Sequence, residues 1–241
     1  MTSSTHTTWP WPGSQAFVKL ATLLGAGLMA LPAMAASRPV TVVELFTSQG
    51  CSSVPPANRN VMAVMKAPDV LPLSFSVTYW DHLGWKDTFG SEAFTARQRD
   101  YEAGLGRDGP FTPQVVVNGA GDTVGNRLDP LRSMIGQAKP PAVVPIDITM
   151  NVVRIGRGMA PASGADVWFV RYKPGVQTVA IERGENAGTT LPVPNVVTEI
   201  RNVGRWLGVE MSFTGPPVED GLRTAIIVQK PGGPILSAVT D

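Results

Sequence analysis

The sequence is poor in the residues that build most covalent and metal-centred sites. Its 241 residues include one cysteine, Cys51, and two histidines, His6 and His82. One cysteine excludes an intramolecular disulfide. A structural zinc site takes about four Cys or His ligands, which this chain cannot supply, so no metal is expected. No phosphate-binding glycine loop, dinucleotide fingerprint or paired-metal carboxylate motif occurs, so no cofactor is expected either. The chain also lacks an excess of one charge: 20 Lys and Arg face 19 Asp and Glu. That balance excludes a general nucleic-acid binder that works by neutralising phosphates. The chain is not short of apolar residues. At 43% hydrophobic against 16% charged, it can fill a core and is not of the disordered class.

Residues 1–35 read as an export signal, its pattern carried by residues 17–35. Lys19 precedes an apolar run over residues 20–31, and Ala33-Met34-Ala35 supplies the small-any-small cleavage pattern. The run is short for a membrane span. Cleavage after Ala35 predicts a secreted or periplasmic protein with no stable membrane span. His82 is then its only histidine, and bases and acids are equal in number. Cys51 becomes a lone thiol in an oxidising compartment, able to pair only with another molecule.

Residues 40–46 form an apolar, β-branched run around a single acid, Glu44, and predict a buried strand. A polar loop carries Cys51. Pro55-Pro56 suits the first turn of a helix. Val61, Val64 and Met65 follow at helical spacing until Pro68. Residues 70–77 predict a second strand. Strand, cysteine loop, helix and strand make a crossover unit with its loop at the carboxyl end of the first strand. A helix over 92–105 comes next. Thr112-Pro113 then precedes a strand over 114–117, which turns at Asn118-Gly119 toward a short partner. Asp129-Pro130 opens a helix reaching about residue 138. Beyond Lys139-Pro140-Pro141 the texture changes. Residues 143–153, 166–172, 176–182, 196–206 and 223–229 are β-branched and aromatic, separated by Gly and Pro. The expected architecture is an α/β thioredoxin-like domain over 36–139, followed by a smaller all-β, sandwich-like domain over 140–241.

A cysteine at a helix start meets unpaired N–H groups and the positive end of the helix dipole, both of which favour thiolate. A cis Pro113 would set the Thr112 backbone beside the sulfur, where an incoming peptide can pair with it. The stretch Glu44-Leu45-Phe46-Thr47-Ser48-Gln49-Gly50-Cys51-Ser52-Ser53, with Pro55-Pro56 after it, resembles the signature of the domain of unknown function 1223 family. Tyr79-Trp80-Asp81, Leu83-Gly84-Trp85-Lys86-Asp87, Thr95, Arg97-Gln98, Tyr101 and Thr112-Pro113-Gln114-Val115 match further segments of that family. Arg183-Gly184-Glu185-Asn186 and Asn195-Val196-Val197 do so in the β region. The resemblance implies an exported, thioredoxin-like bacterial protein with a β region, and no particular reaction. The family pattern reads Cys-Ser-Ser-Cys, and here Val54 holds the fourth position. A mixed disulfide at Cys51 therefore has no second thiol in the chain to resolve it.

Cys51 is the expected catalytic thiol, with Ser52, Ser53, Trp80, Asp81, Thr112 and Pro113 as substrate contacts. The expected activity is monothiol redox exchange with a small thiol or a protein thiol partner. The alternative is a non-catalytic peptide- or partner-binding protein that uses the same cleft. A third reading pairs Cys51 with His82 as a hydrolase nucleophile and base. Glu44 is either a proton shuttle beneath Cys51 or a bonding partner for loop backbone. Arg183-Gly184-Glu185-Asn186 reads first as a turn between strands and second as a contact between domains.

Overall fold

Alternation along the first strand sets the architecture in the computed structural model, which describes Met1, residues 38–217 and residues 219–241. β1 (Thr41–Thr47) is buried along its whole length. Successive side chains of a strand point to opposite faces. Val43 and Leu45 pack with Ala57 and Val61 of α1 (Val54–Val64) and with Leu131 of α4 (Leu128–Gln137). Val42 and Phe46 pack on the other face, with Phe75 of β2 (Val70–Ser76) and Phe94 of α2 (Glu92–Asp100). β2 lies parallel to β1, and β3 (Gln114–Val117) antiparallel to it. β4 (Gly121–Thr123) pairs with β3 as the expected hairpin. Of the export signal expected over residues 1–35, all but Met1 lies outside the described residues. Among the described residues no helix is long and apolar enough to cross a membrane.

The later chain forms β5 (Ile146–Thr149), β6 (Val152–Ile155), β7 (Ala165–Ala180), β8 (Thr190–Trp206), β9 (Met211–Thr214), β10 (Arg223–Gln229) and β11 (Ile235–Thr240). One eight-stranded sheet runs β11-β10-β7-β8-β2-β1-β3-β4, and β5-β6-β9 make a second, three-stranded sheet. The fold is therefore mixed α/β. The change of texture after Lys139 does not interrupt the large sheet, and Ala36–Asp241 make one compact unit. β7, β8, β10 and β11, from the region expected to be a separate β domain, instead extend the sheet that β1–β4 begin; β7 joins two runs expected as separate strands, and β11 is not among the expected strands. The sandwich survives as a local stack. The small sheet covers one face of the extension, burying Ile155, Phe169, Trp206 and Val228 between the layers. A Val-rich strand encodes which of its faces is buried, not which strand lies beside it.

The seam between the two regions is β2 against β8, paired in parallel at Ser74 and Val196. Pro72 and Pro194 lie on facing strands and have no N–H to donate to a ladder. Side chains supply bonds there instead. The Ser74 hydroxyl donates to Pro194 O at 2.5 Å, and the Asn195 amide donates to Pro72 O at 2.9 Å.

Residues 92–105, expected as one helix, form α2 and a short α3 (Glu102–Leu105), with Tyr101 at the junction. The Tyr101 phenol is fully buried and donates to Glu44. Glu44 lies on the α2 face of β1. Arg97 Nε donates to it at 2.5 Å, and both side chains are almost without solvent contact. Arg97 Nη2 also reaches Gln229 Oε1 on β10 at 3.2 Å. Its guanidinium lies 5.0 Å from the centre of the Trp168 ring. Removing one member of a buried pair leaves an uncompensated charge. Glu44→Gln is accordingly expected to destabilise the fold by about 3–5 kcal/mol, measured as a lowered urea midpoint. A loss no larger than that of a surface substitution would contradict this pairing.

Candidate functional site

The carboxyl ends of β1 and β2 place two loops side by side, and Cys51 sits in the first of them. The backbone turns tightly before α1: Cys51 N donates to Ser48 O at 3.3 Å, and Val54 N donates to Cys51 O at 3.2 Å. Ser53 is the N-cap of α1, and its side chain makes no capping bond. Pro55 lies in the first turn, as expected from its tolerance there. Cys51 Sγ lies 3.9 Å from Thr112 O. The Thr112-Pro113 peptide bond is cis. The structure thus brings Cys51, Ser52, Ser53, Thr112 and Pro113 to one end of the large sheet.

Cys51 is only 3% exposed. Its cluster is aliphatic: Val54 from α1, and Ile181, Leu191, Val193 and Val196 from the β7–β8 hairpin. Trp80 packs against this cluster and against the α2-side core. Its indole Nε1 is buried without a hydrogen-bond partner, as is Thr112 Oγ1. Tyr79 Oη donates to Gln98 Oε1 at 3.2 Å. Burial pushes its phenol up to about 12, and the nearby Cys51 thiol adds to the rise.

Asp81 braces the second loop, its Oδ1 accepting from Asp87 N at 3.0 Å. Asp87 then accepts from Gln49 N and Phe89 N, both at 2.8 Å. Gln49 continues the chain of contacts. Its Oε1 accepts from Trp85 Nε1 at 2.9 Å, and its Nε2 donates to Thr88 Oγ1 at 2.9 Å. The cysteine loop is therefore held from beneath by the loop after β2.

From above it is held by Arg183-Gly184-Glu185-Asn186. This segment is the expected turn, and Gly184 takes φ +81°. It is also a contact with the site. Asn186 Nδ2 donates to both Gln49 O and Cys51 O at 2.9 Å. Glu185 Oε2 accepts from Ser52 N at 2.9 Å and from Ser52 Oγ at 2.8 Å. These bonds hold the exposed Glu185 carboxyl below its usual range. Sequence reasoning gave these two side chains no part in the site, because nothing local to a turn shows which distant carbonyls it caps. Gln49 and Asp87 were missed as braces for the same reason. The one available signal was that all four lie in segments matching the family.

Two other expectations are not met. His82 is exposed on a short 3-10 turn (Asp81–Leu83) and makes no hydrogen bond to Cys51 among the described residues. The hydrolase pair is therefore absent. Glu44 is not beneath Cys51 either, because its side chain leaves β1 on the α2 face and is taken by Arg97 and Tyr101. Among the described residues no cluster of three or more His, Cys, Asp or Glu is placed to hold a metal ion.

A family model described as a protein of unknown function (DUF1223) matches residues 42–229. This chain belongs to the DUF1223 family. The matched range runs from β1 to the end of β10, so the cysteine loop, the cis Thr112-Pro113 bond and the Glu185–Asn186 turn all lie inside it. No curated protein matches the DUF1223 chain. Among solved structures, an Agrobacterium tumefaciens protein known by X-ray crystallography is 31% identical, with a TM-score of 0.69 over 85% of this chain and 95% of that one. HBP35 of Porphyromonas gingivalis shares the fold alone, at 13% identity and a TM-score of 0.55, over 85% of this chain and 75% of its own.

The titration of Asp87 gives the site a measurable signature. Its carboxyl is raised from 3.8 to about 6, first by burial and further by the nearby Asp81. The N–H donors of Gln49 and Phe89 and the Ser76 hydroxyl oppose the rise. A raised folded-state value means the folded chain holds this proton more tightly than the unfolded chain. The stability it contributes is fully present below the unfolded value of 3.8 and is lost as pH rises through about 6. Relative to Asp87→Asn, the parent protein is expected to lose stability across that window. Urea midpoints of both proteins, followed from the lower value to above the upper one, test this. Parallel curves would contradict the assignment.

Proposed function

We propose that this chain is an exported, thioredoxin-like protein whose site keeps a single thiol, Cys51, and that the thiol forms mixed disulfides with a small thiol or a protein thiol partner. The observation that carries the proposal is the approach of Cys51 Sγ to Thr112 O, 3.9 Å away, at the turn leading into α1. The order β2-β1-β3-β4, with α1 after the cysteine loop, supports the thioredoxin-like reading. In this reading β7, β8, β10 and β11 are an addition on the β2 side of that unit. Export rests on the pattern of residues 17–35 alone.

In the exchange, the Cys51 thiol gives its proton to solvent and its thiolate attacks one sulfur of an oxidised partner. One S–S bond forms, one breaks, and the partner's other sulfur leaves as thiolate. A second, external thiol must then release Cys51, because Val54 stands where a resolving cysteine would be and the chain has no other. Ser52, Ser53, Thr112, Pro113, Trp80 and Asp81 border the thiol in this reading, with Asp81 acting through the loop that it braces. One observation favours the non-catalytic alternative: Cys51 is 3% exposed among aliphatic side chains, and a buried thiol is inert until it is uncovered.

Incubation with glutathione disulfide, followed by intact mass, separates the two. The exchange reading expects one glutathionyl adduct on the parent protein and none on Cys51→Ser. A parent protein that stays unmodified while its thiol remains titratable would support the binding reading instead. Val54→Cys tests the missing resolver. Cys51 and Val54 share one apolar cluster and are joined by a backbone turn. Val and Cys are also close in volume, so the change should be tolerated. Mild oxidation is expected to remove both thiols of that variant and to leave the parent's single thiol titratable. Dithiol-type insulin reduction by the parent protein would contradict the role given to Val54.

A further inference from the structure

The β7–β8 hairpin supplies most of the aliphatic residues clustered with Cys51, beside Val54 of α1 and the rings of Trp80, Trp85 and Phe89. Ile181, Leu191, Val193 and Val196 all belong to the β7–β8 hairpin or its tip. Beyond that packing on Val54 of α1 and on the loop residues Trp85 and Phe89, that part of the hairpin has few strand partners. β8 meets β2 at one pair, Ser74 with Val196. From there to the tip, β7 and β8 pair only with each other, through Val176–Ala180 and Thr190–Pro194. The ladder between them is irregular between Lys173 and Val176, where Gly175 takes φ +82°. Residues 182–185 at the tip are exposed. A few side-chain bonds hold the far end down: Asn58 to Pro192 O at 2.7 Å, Asn186 to Gln49 O and Cys51 O, and Ser52 to Glu185.

We propose that the hairpin tip, residues 181–189, is a lid over Cys51, latched by Glu185 and Asn186. The proposal rests on the mixed-disulfide reading for its use. It reconciles a thiol at the carboxyl end of β1 with that thiol's 3% exposure. Opening breaks the Glu185–Ser52 and Asn186–carbonyl bonds and lifts Ile181 out of the cluster, while Leu191, Val193 and Val196 stay on β8 and the eight-stranded ladder remains intact. Glu185 is exposed, so its bonds compete with water and are the weaker half of the latch. Asn186 is buried and caps two carbonyls of the cysteine loop, so it is the stronger half. Local opening of this kind suits a segment whose backbone is largely exposed and carries few ladder bonds, as residues 182–185 and 187–189 are exposed.

The test is the rate at which Cys51 reacts with 5,5′-dithiobis(2-nitrobenzoate), a small aromatic disulfide. The Cys51 thiolate attacks its S–S bond and releases one thionitrobenzoate thiolate, which is read by absorbance. The parent protein is expected to react far more slowly than its urea-unfolded form. Glu185→Gln should raise the native rate roughly threefold and Asn186→Ala roughly tenfold. These rates should depend less on low urea concentrations than global unfolding does, since the opening is local. Cys51→Ser is the blank. Glu185→Gln alters an exposed side chain and keeps the test valid if Asn186→Ala proves too unstable to measure. The lid is overturned if Glu185→Gln reacts at the parental rate. It is also overturned if the native thiol reacts as fast as the unfolded one, or if every rate merely follows global unfolding in urea. The reagent needs no physiological partner. A latched thiol that reacts with it yet never accepts glutathione would sink the exchange reading and leave the lid standing.

Discussion

A carboxylate on the central strand, shut away from water, is the constraint around which this molecule is arranged. Glu44 has no solvent contact, and an isolated charge in such a place is prohibitive. Its partners come from separate parts of the chain: Arg97 and Tyr101 from α2 and its end, with Gln229 from β10 bonding to both. Satisfying one acid therefore ties the early strands to the late ones across the α2 face of the sheet.

The same arrangement defines the chemistry open to Cys51. Alternation puts Glu44 on the α2 face of β1, away from the helix that follows the cysteine loop, so it brings no carboxylate to the thiol. His82 lies in solvent. What surrounds the sulfur is a backbone carbonyl and an apolar cluster, aliphatic at its centre and edged by Trp80, Trp85 and Phe89. The proposed exchange between sulfurs asks for geometry and access more than for an acid–base partner. In the proposed lid, access is governed by the hairpin whose two strands pair only with each other beyond the β2–β8 seam.

Three loops converge on the site, each held by side chains capping backbone. Asp87 accepts from Gln49 N, Asn186 donates to Gln49 O and Cys51 O, and Glu185 accepts from Ser52. Buried backbone groups have to be paired. A loop outside any ladder gets its partners from Asn, Asp, Gln and Glu side chains, which is why the motif segments are rich in them.

The sequence by itself determined the order and period of the early elements. β1, the cysteine loop, α1, β2 and the β3–β4 hairpin fall where apolar spacing, Pro55 and the Asn118-Gly119 turn put them, because these signals are local; α4 forms near its Asp129-Pro130 signal but starts at Leu128, with Arg127 rather than Asp129 as its N-cap. It also determined that Cys51 has no partner thiol and that Thr112-Pro113 precedes a strand. Tertiary structure alone decided the rest. Residues 143–153 read as one strand, but a turn at Met150, with φ +55°, divides them into β5 and β6. The strands after Lys139 carried the right pattern for burial and no information on which edge they would join, so a separate β domain and an extension of the first sheet looked alike. Cys51 showed the position of a site but not its cover. Exposure is fixed by Ile181, Leu191 and Asn186, distant in sequence, and no spacing rule near the cysteine records how a remote hairpin folds back over it.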